Sequence, residues 1–174
     1  MEEAGEELLL ALSGPSGVAT MKRRPKRGEG GVHTYTVECV SGVNLKEKCV
    51  RVIEIEEWAS VYDLHDAIQD AVQFRRDHPF EFFTAASLSP SSPRRWLTME
   101  KEWDDKVRAF VQIRLRDLWP MGRRKLYYWF DFFDRWIFEI RKAPGTRRVR
   151  EGVSYPRVTS ATGPDPHQYP PLDE

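Results

Sequence analysis

In KLYYWFDFFDRWIFEI, residues 125–140, half of the positions are aromatic and their order is regular. Leu126, Tyr128, Phe130 and Phe132 alternate with Tyr127, Trp129, Asp131 and Phe133. After an Asp134-Arg135 step, Trp136, Phe138 and Ile140 take up the alternation again. Successive side chains of a strand point to opposite faces, so this pattern predicts a β-hairpin with the aspartates near its turn. Large apolar residues on both faces require strands covered from two sides. A chain carrying such a hairpin is committed to a sheet with the hairpin at its centre.

Other runs supply the rest of that sheet. HTYTVECV (residues 33–40) and CVRVIEIE (residues 49–56) alternate β-branched or aromatic residues with polar ones and predict two paired strands. FEFFTA (residues 80–85) predicts a third. Ser60 stands where a helix N-cap belongs, and Asp63, three residues on, is its capping-box partner. Val61, Leu64, Ile68, Ala71 and Val72 then share one face, which predicts an amphipathic helix lying on the sheet and ending before Pro79. SLSPSSPRRW reads as a turn-rich surface loop. Residues 99–118 fit either a helix or a polar segment feeding a short strand, and a short helical turn is expected near residues 115–118.

The ends lack such patterns. Residues 1–31 pass from an acidic amphipathic stretch through SGPSG and KRRPKR to GEGG, which predicts a flexible charged arm. The sequence leaves both Met1 and Met21 open as the start of translation. The domain is expected over residues 32–158, followed by an extended Pro-rich tail over residues 159–174, with Tyr155 and Tyr169 available to pack it down. A chain of 174 residues has room for one core and tails, and its six Trp, six Tyr and nine Phe give it enough apolar surface to fold as a monomer.

Charge and cysteine content narrow the possible functions. The 27 basic and 27 acidic residues cancel, so any electrostatic role must be local. Cys39 and Cys49 are too few for a disulfide framework and read as small buried hydrophobes in a reducing cytoplasm. LLLAL (residues 8–12) follows glutamates where an export signal would carry positive charge. No apolar run approaches the ~18 residues of a membrane span, so no membrane role is expected.

Four segments, YDLHDAIQDAVQF, DHPFEFF, KLYYWFDFFDRWIFEI and YPRVTSATGPDPHQYP, occur in an order that resembles the plasmid pRiA4b ORF-3-like family, which includes insertion-element passenger proteins. The matching positions are Leu64 and His65 in the helix, His78, Glu81 and Phe82 around the third strand, and Asp131, Phe132, Asp134 and Trp136 in the hairpin. The resemblance spans residues 32–170. It implies an α+β domain in which a helix crosses an antiparallel sheet, and a mobile-element setting. It implies no established activity and no cofactor. Phe133 stands where the family has Gly, and Phe130 where it has Tyr. If that glycine has a positive φ, a phenylalanine there costs about 1–2 kcal/mol unless the turn changes shape.

Three groups of residues could carry chemistry. Asp131 and Asp134 could act as a general acid/base pair, although carboxylates three residues apart around a turn tend to diverge and instead bind the turn's N–H groups. His65, His78 and Glu81 could meet where the helix joins the third strand, but their spacing fits no zinc signature, so no metal is assigned. Lys22, Arg23, Arg24, Lys26 and Arg27 form a basic arm suited to phosphates, and Arg141, Lys142, Arg147, Arg148 and Arg150 form a second cluster.

The reading favoured by the sequence is a non-enzymatic, cytoplasmic binding or accessory module with a nucleic-acid or protein partner. The alternative is a small hydrolase-like or metal-dependent enzyme using Asp131, Asp134, His65 or His78. Histidines and carboxylates converging in one pocket would favour the enzyme. Basic residues gathered on one exposed face would favour the module.

Overall fold

Each run with a period of two in the sequence is a strand in the structure, a computed structural model that describes residues 9–11, 20–22, 26 and 29–170. In chain order the elements are β1 (Leu9–Ala11), β2 (Thr20–Lys22), β3 (Gly31–Ser41), β4 (Val50–Glu56), α1 (Val61–Val72), β5 (Phe80–Ala85), β6 (Arg95–Trp96) and α2 (Trp103–Gln112). A 3-10 turn (Leu115–Asp117), β7 (Lys125–Phe130), β8 (Trp136–Lys142), β9 (Arg147–Arg148) and β10 (Arg157–Thr162) follow. β1 and β2 pair with each other within the segment read as a flexible arm. The other strands form one antiparallel sheet in the order β10-β4-β3-β8-β7-β5-β6, with β9 also on β3. The class is α+β. No helix among the described residues is long and apolar enough to cross a membrane.

The β7–β8 hairpin lies inside the sheet and is buried on both faces. Its register runs from Leu126 opposite Ile140 to Phe130 opposite Trp136. Tyr128, Phe130, Trp136, Phe138 and Ile140 join the main core under the helices, while Tyr127 and Ile137 join a smaller cluster with Phe83 on the other face. Gly42 lies flat against Trp136, where an added Cβ would come 2.3 Å from the indole ring.

The capping box forms as the sequence predicts. Asp63 N donates to Ser60 Oγ at 3.1 Å, and Ser60 N donates to Asp63 Oδ2 at 2.8 Å. Val61, Leu64, Ala67, Ile68 and Val72 are buried, and α1 packs on the sheet through them. Cys39 in β3 and Cys49, the residue before β4, are free and buried, with Cys39 N donating to Cys49 O at 3.0 Å. Burial, and then the neighbouring Cys49, push the Cys39 thiol up to about 12.

Two segments hold more structure than the sequence settles. Residues 99–118, which fit either a helix or a polar segment, contain the ten-residue helix α2, followed by the expected short turn at residues 115–117. Only Phe110 of α2 is fully buried, stacked 5.2 Å from Phe80, so tertiary packing stabilises a helix whose own apolar stripe is thin. The tail is not simply extended, because β10 is an edge strand on β4. Its side chains are almost all exposed, so it gains mainly backbone pairing and leaves little hydrophobic signal in the sequence. Gly163, at φ +78°, then turns the chain against the Lys48 carbonyl, where a Cβ would lie 1.7 Å away. Arg51 ties this region to the core by donating to the carbonyls of Ala71 at 3.1 Å and Thr162 at 3.2 Å and to Asp165 Oδ1 at 2.7 Å.

Candidate functional site

The hairpin turn is built around one aspartate. Asp131 Oδ1 accepts from the backbone N–H groups of Phe133 at 3.2 Å and Asp134 at 3.3 Å. The Asp131 carbonyl accepts from Arg135 N at 2.8 Å. The left-handed backbone positions of the turn are Asp131 and Arg135, each at φ +53°, and Phe133 is not one of them. The substitution of phenylalanine for the family glycine therefore carries no positive-φ cost here, and the Phe133 side chain is 90% exposed. Asp134 accepts from Val43 N through its carbonyl, and among the described residues its carboxylate has no hydrogen-bond or ion-pair partner. The two aspartates thus have different roles, and Asp131 is the one that fixes the turn.

Asp131 also faces a histidine. Its buried Oδ2 lies 3.4 Å from His78 Nε2. Tyr169 OH donates to Asp77 Oδ2 at 2.8 Å, so its single proton is committed and His78 Nε2, also at 2.8 Å, is the donor to the Tyr169 oxygen. The buried Gln168 accepts from Arg75 N at 2.6 Å and donates to Asp77 Oδ1 at 3.0 Å. Partial burial and the Asp77 carboxylate hold the Tyr169 hydroxyl up at about 12. Distant motif positions of the sequence, His78, Asp131 and the Gln168-Tyr169 step, therefore meet at the end of α1.

His65 lies one layer deeper. It stacks on Phe80 at 3.7 Å, and its Nδ1 is 2.6 Å from Tyr128 OH, which also accepts from Gln69 Nε2 at 3.0 Å. Burial, and then Arg76, lower the His65 pKa to about 3, so the ring is neutral near neutral pH. His65 and His78 both border a cavity of about 320 Å³ between α1, residues 76–80 and α2. Glu81 does not join them. It is buried and paired with Lys106 of α2, so the structure does not bring the three side chains together. Among the described residues no group of three or more His, Cys, Asp or Glu side chains could hold a metal ion.

Lys22 belongs to β2 and Lys26 is exposed, while Arg23, Arg24 and Arg27 lie outside the described residues. From the second cluster, Arg147 at 3.7 Å and Arg150 at 3.9 Å turn toward the buried Glu54, joined by Arg157 at 2.7 Å. Arg141 pairs with Glu139 at 2.8 Å and Glu38 at 3.2 Å.

Sequence reasoning missed a strip on the sheet face turned away from the helices. Phe83, Trp96, Trp129 and Phe132 follow one another there, with centroid separations of 5.2, 6.2 and 4.7 Å. The Arg94 guanidinium sits 4.5 Å from the Phe83 centroid and 5.6 Å from that of Trp129. Trp96 and Phe132 are each 38% exposed. The signal was available in the odd positions of the hairpin and in the Arg94-Arg95-Trp96 step, but it counted as core and as loop when each was read alone.

A solved structure from Methanosarcina mazei Go1, described as a protein of unknown function, is similar to this chain with a TM-score of 0.58 and 20% identity. The similarity covers 78% of this chain and 71% of that one, and it concerns the fold alone. No curated protein matches. The sequence pattern described by the family of plasmid pRiA4b ORF-3-like proteins matches residues 40–168, a span that includes α1, the hairpin, β10 and Gln168, and the chain belongs to that family.

Proposed function

We propose that the protein is a non-enzymatic, cytoplasmic binding module that takes single-stranded nucleic acid on the sheet face turned away from its helices, in a mobile-element setting. The observation that carries this reading is the pair of exposed rings Trp96 and Phe132, joined through the partly buried Trp129 above the buried Phe83, with Arg94 laid over Phe83 and Trp129. Every base has a π-face, so exposed aromatic side chains can bind a strand without reading its sequence, at about 1–3 kcal/mol per stacked base. Arg94 over the strip and the exposed Lys125, on the same face of β7 as Tyr127 and Trp129, supply charge for the phosphates. Lys125 and Arg141 share Glu139, so a phosphate there competes with an internal ion pair. The family's plasmid name is in keeping with such a partner.

Fluorescence anisotropy of labelled single-stranded oligonucleotides, titrated with the full chain at several salt concentrations, tests the reading. Saturable binding is expected, weakening with salt, with Trp96→Ala lowering affinity by roughly 5- to 100-fold. A chain starting at Gly31 separates the face from the basic arm, because binding through the face survives that truncation. No binding at low salt, or binding that Trp96→Ala leaves unchanged, rejects the sheet face.

A further inference from the structure

We propose that the cavity between α1 and α2 is a binding site for a small, neutral, planar ring bearing a carbonyl acceptor beside an N–H donor, such as a lactam or a ring amide. The proposal is independent of the sheet-face reading, since the cavity lies on the helical side.

The hydrogen-bond chain behind the cavity fixes which proton His65 presents. Gln69 Nε2 donates to the Tyr128 oxygen, so the hydroxyl's own proton has His65 Nδ1, 2.6 Å away, as its acceptor. The imidazole proton then resides on Nε2. Reversing the Gln69 amide would leave both of its N–H groups without an acceptor, where the present orientation leaves one N–H and the buried Oε1, and an orphaned buried N–H is rarer than an under-satisfied carbonyl. His65 Nε2 is 3.8 Å from Asp66 Oδ1, beyond hydrogen-bond length, although the residue is only 3% exposed. A nine-tenths buried imidazole thus borders the cavity with an unpaired N–H donor, and its low pKa keeps it a neutral donor down to acid pH.

The walls define the rest of the ligand. Tyr62, Phe80, Trp103 and Val107 provide flat apolar surface, and about 320 Å³ is at the small end of ligand cavities, suited to one or two fused rings. Asp77 also lines the cavity and accepts from Tyr169 and Gln168, which leaves carboxylate lone pairs for a ligand N–H. Arg76 is already forked onto Asp66 at 2.8 Å and Asp70 at 2.7 Å, so it offers no free charge to a carboxylate ligand. With Asp77 on the wall an anion is repelled, and a cation that pairs with Asp77 leaves the His65 donor without an acceptor. A neutral ring with paired acceptor and donor satisfies both sides.

The test is NMR titration of the full chain with uracil, with benzoate and benzylamine as charged rings, following the His65 side-chain nitrogens and the backbone amides of α1 and α2. Saturable shifts confined to the cavity are expected with uracil, with His65 Nε2 among the affected nuclei and affinity at least tenfold above that for either charged ring. Val107→Trp, which fills the cavity while keeping an apolar residue on α2, should abolish them. Competition by an oligouridine would assign the ring to a nucleic-acid strand, and its failure would assign it to a free small molecule, both consistent with the site. Scattered unsaturable shifts, equal binding of benzylamine, or binding that survives Val107→Trp in a folded protein overturns the proposal.

Discussion

At the scale of single residues, the chain uses buried histidines as neutral hydrogen-bonding groups. His33 lies 3.0 Å from Tyr35 OH, and burial followed by Lys142 lowers its pKa to about 4, while His65 is held at about 3. Both folded values lie below the ordinary value of 6.5, so the unfolded chain binds these protons more readily. Stability is therefore complete above pH 6.5 and falls as pH decreases from there toward about 4 for His33 and about 3 for His65. Each histidine contributes a slope of up to about 1.4 kcal/mol per pH unit within its window. Urea unfolding between pH 7.5 and pH 5 should show this loss, and His33→Gln should flatten it even if the variant is less stable overall. An unchanged slope would mean that His33 does not titrate as a buried neutral group. Asp131 makes a different kind of contribution, since one carboxylate closes the turn through one oxygen and faces His78 with the other.

At the scale of elements, α1 depends on the reciprocal bonds of Ser60 and Asp63. Ser60→Ala removes one of them and should lower stability by about 1 kcal/mol in chemical denaturation, whereas Ser60→Thr should retain most of it. A loss much smaller than that for alanine would mean that packing of Leu64, Ile68 and Val72 alone sets where the helix begins. This box and the hairpin were legible because their chemistry is local: a cap and its partner lie three residues apart, and strand alternation repeats every second residue. α2 was only partly legible because its stability comes from Phe110 meeting Phe80, a contact with no local trace. β10 was hidden for a related reason, since an edge strand can hold its place by backbone pairing while its side chains remain in water. The candidate site divides the same way. His78 and Asp131 stood out as motif residues, but nothing local announces that Tyr169 and Gln168 close on Asp77 across more than ninety residues of chain.

At the scale of the whole molecule, the C-terminal segment from β10 onward acts as a clasp. Removing everything after Pro156 would turn β4 into an exposed edge, leave Arg51 without Asp165 and deprive the buried Glu54 of Arg157. Each of these pairs joins a buried group to a partly exposed one, and Glu54 keeps Arg147 and Arg150, so their loss adds to the lost strand pairing without dominating it. Such a truncated chain should unfold at markedly lower urea concentration and scatter light at concentrations where the full chain stays clear, because an unpaired strand edge is a template for aggregation. Equal stability and clear solutions would show the clasp to be dispensable.

The pairing of β10 with β4 also sets a timetable. During translation β4 leaves the ribosome roughly a hundred residues ahead of its outer partner, so at ordinary elongation rates its edge waits on the order of 5–20 s before it can be covered. For that interval the nascent chain presents an open strand to its surroundings, and its yield in the cell will depend on how well that strand is shielded from neighbouring nascent chains.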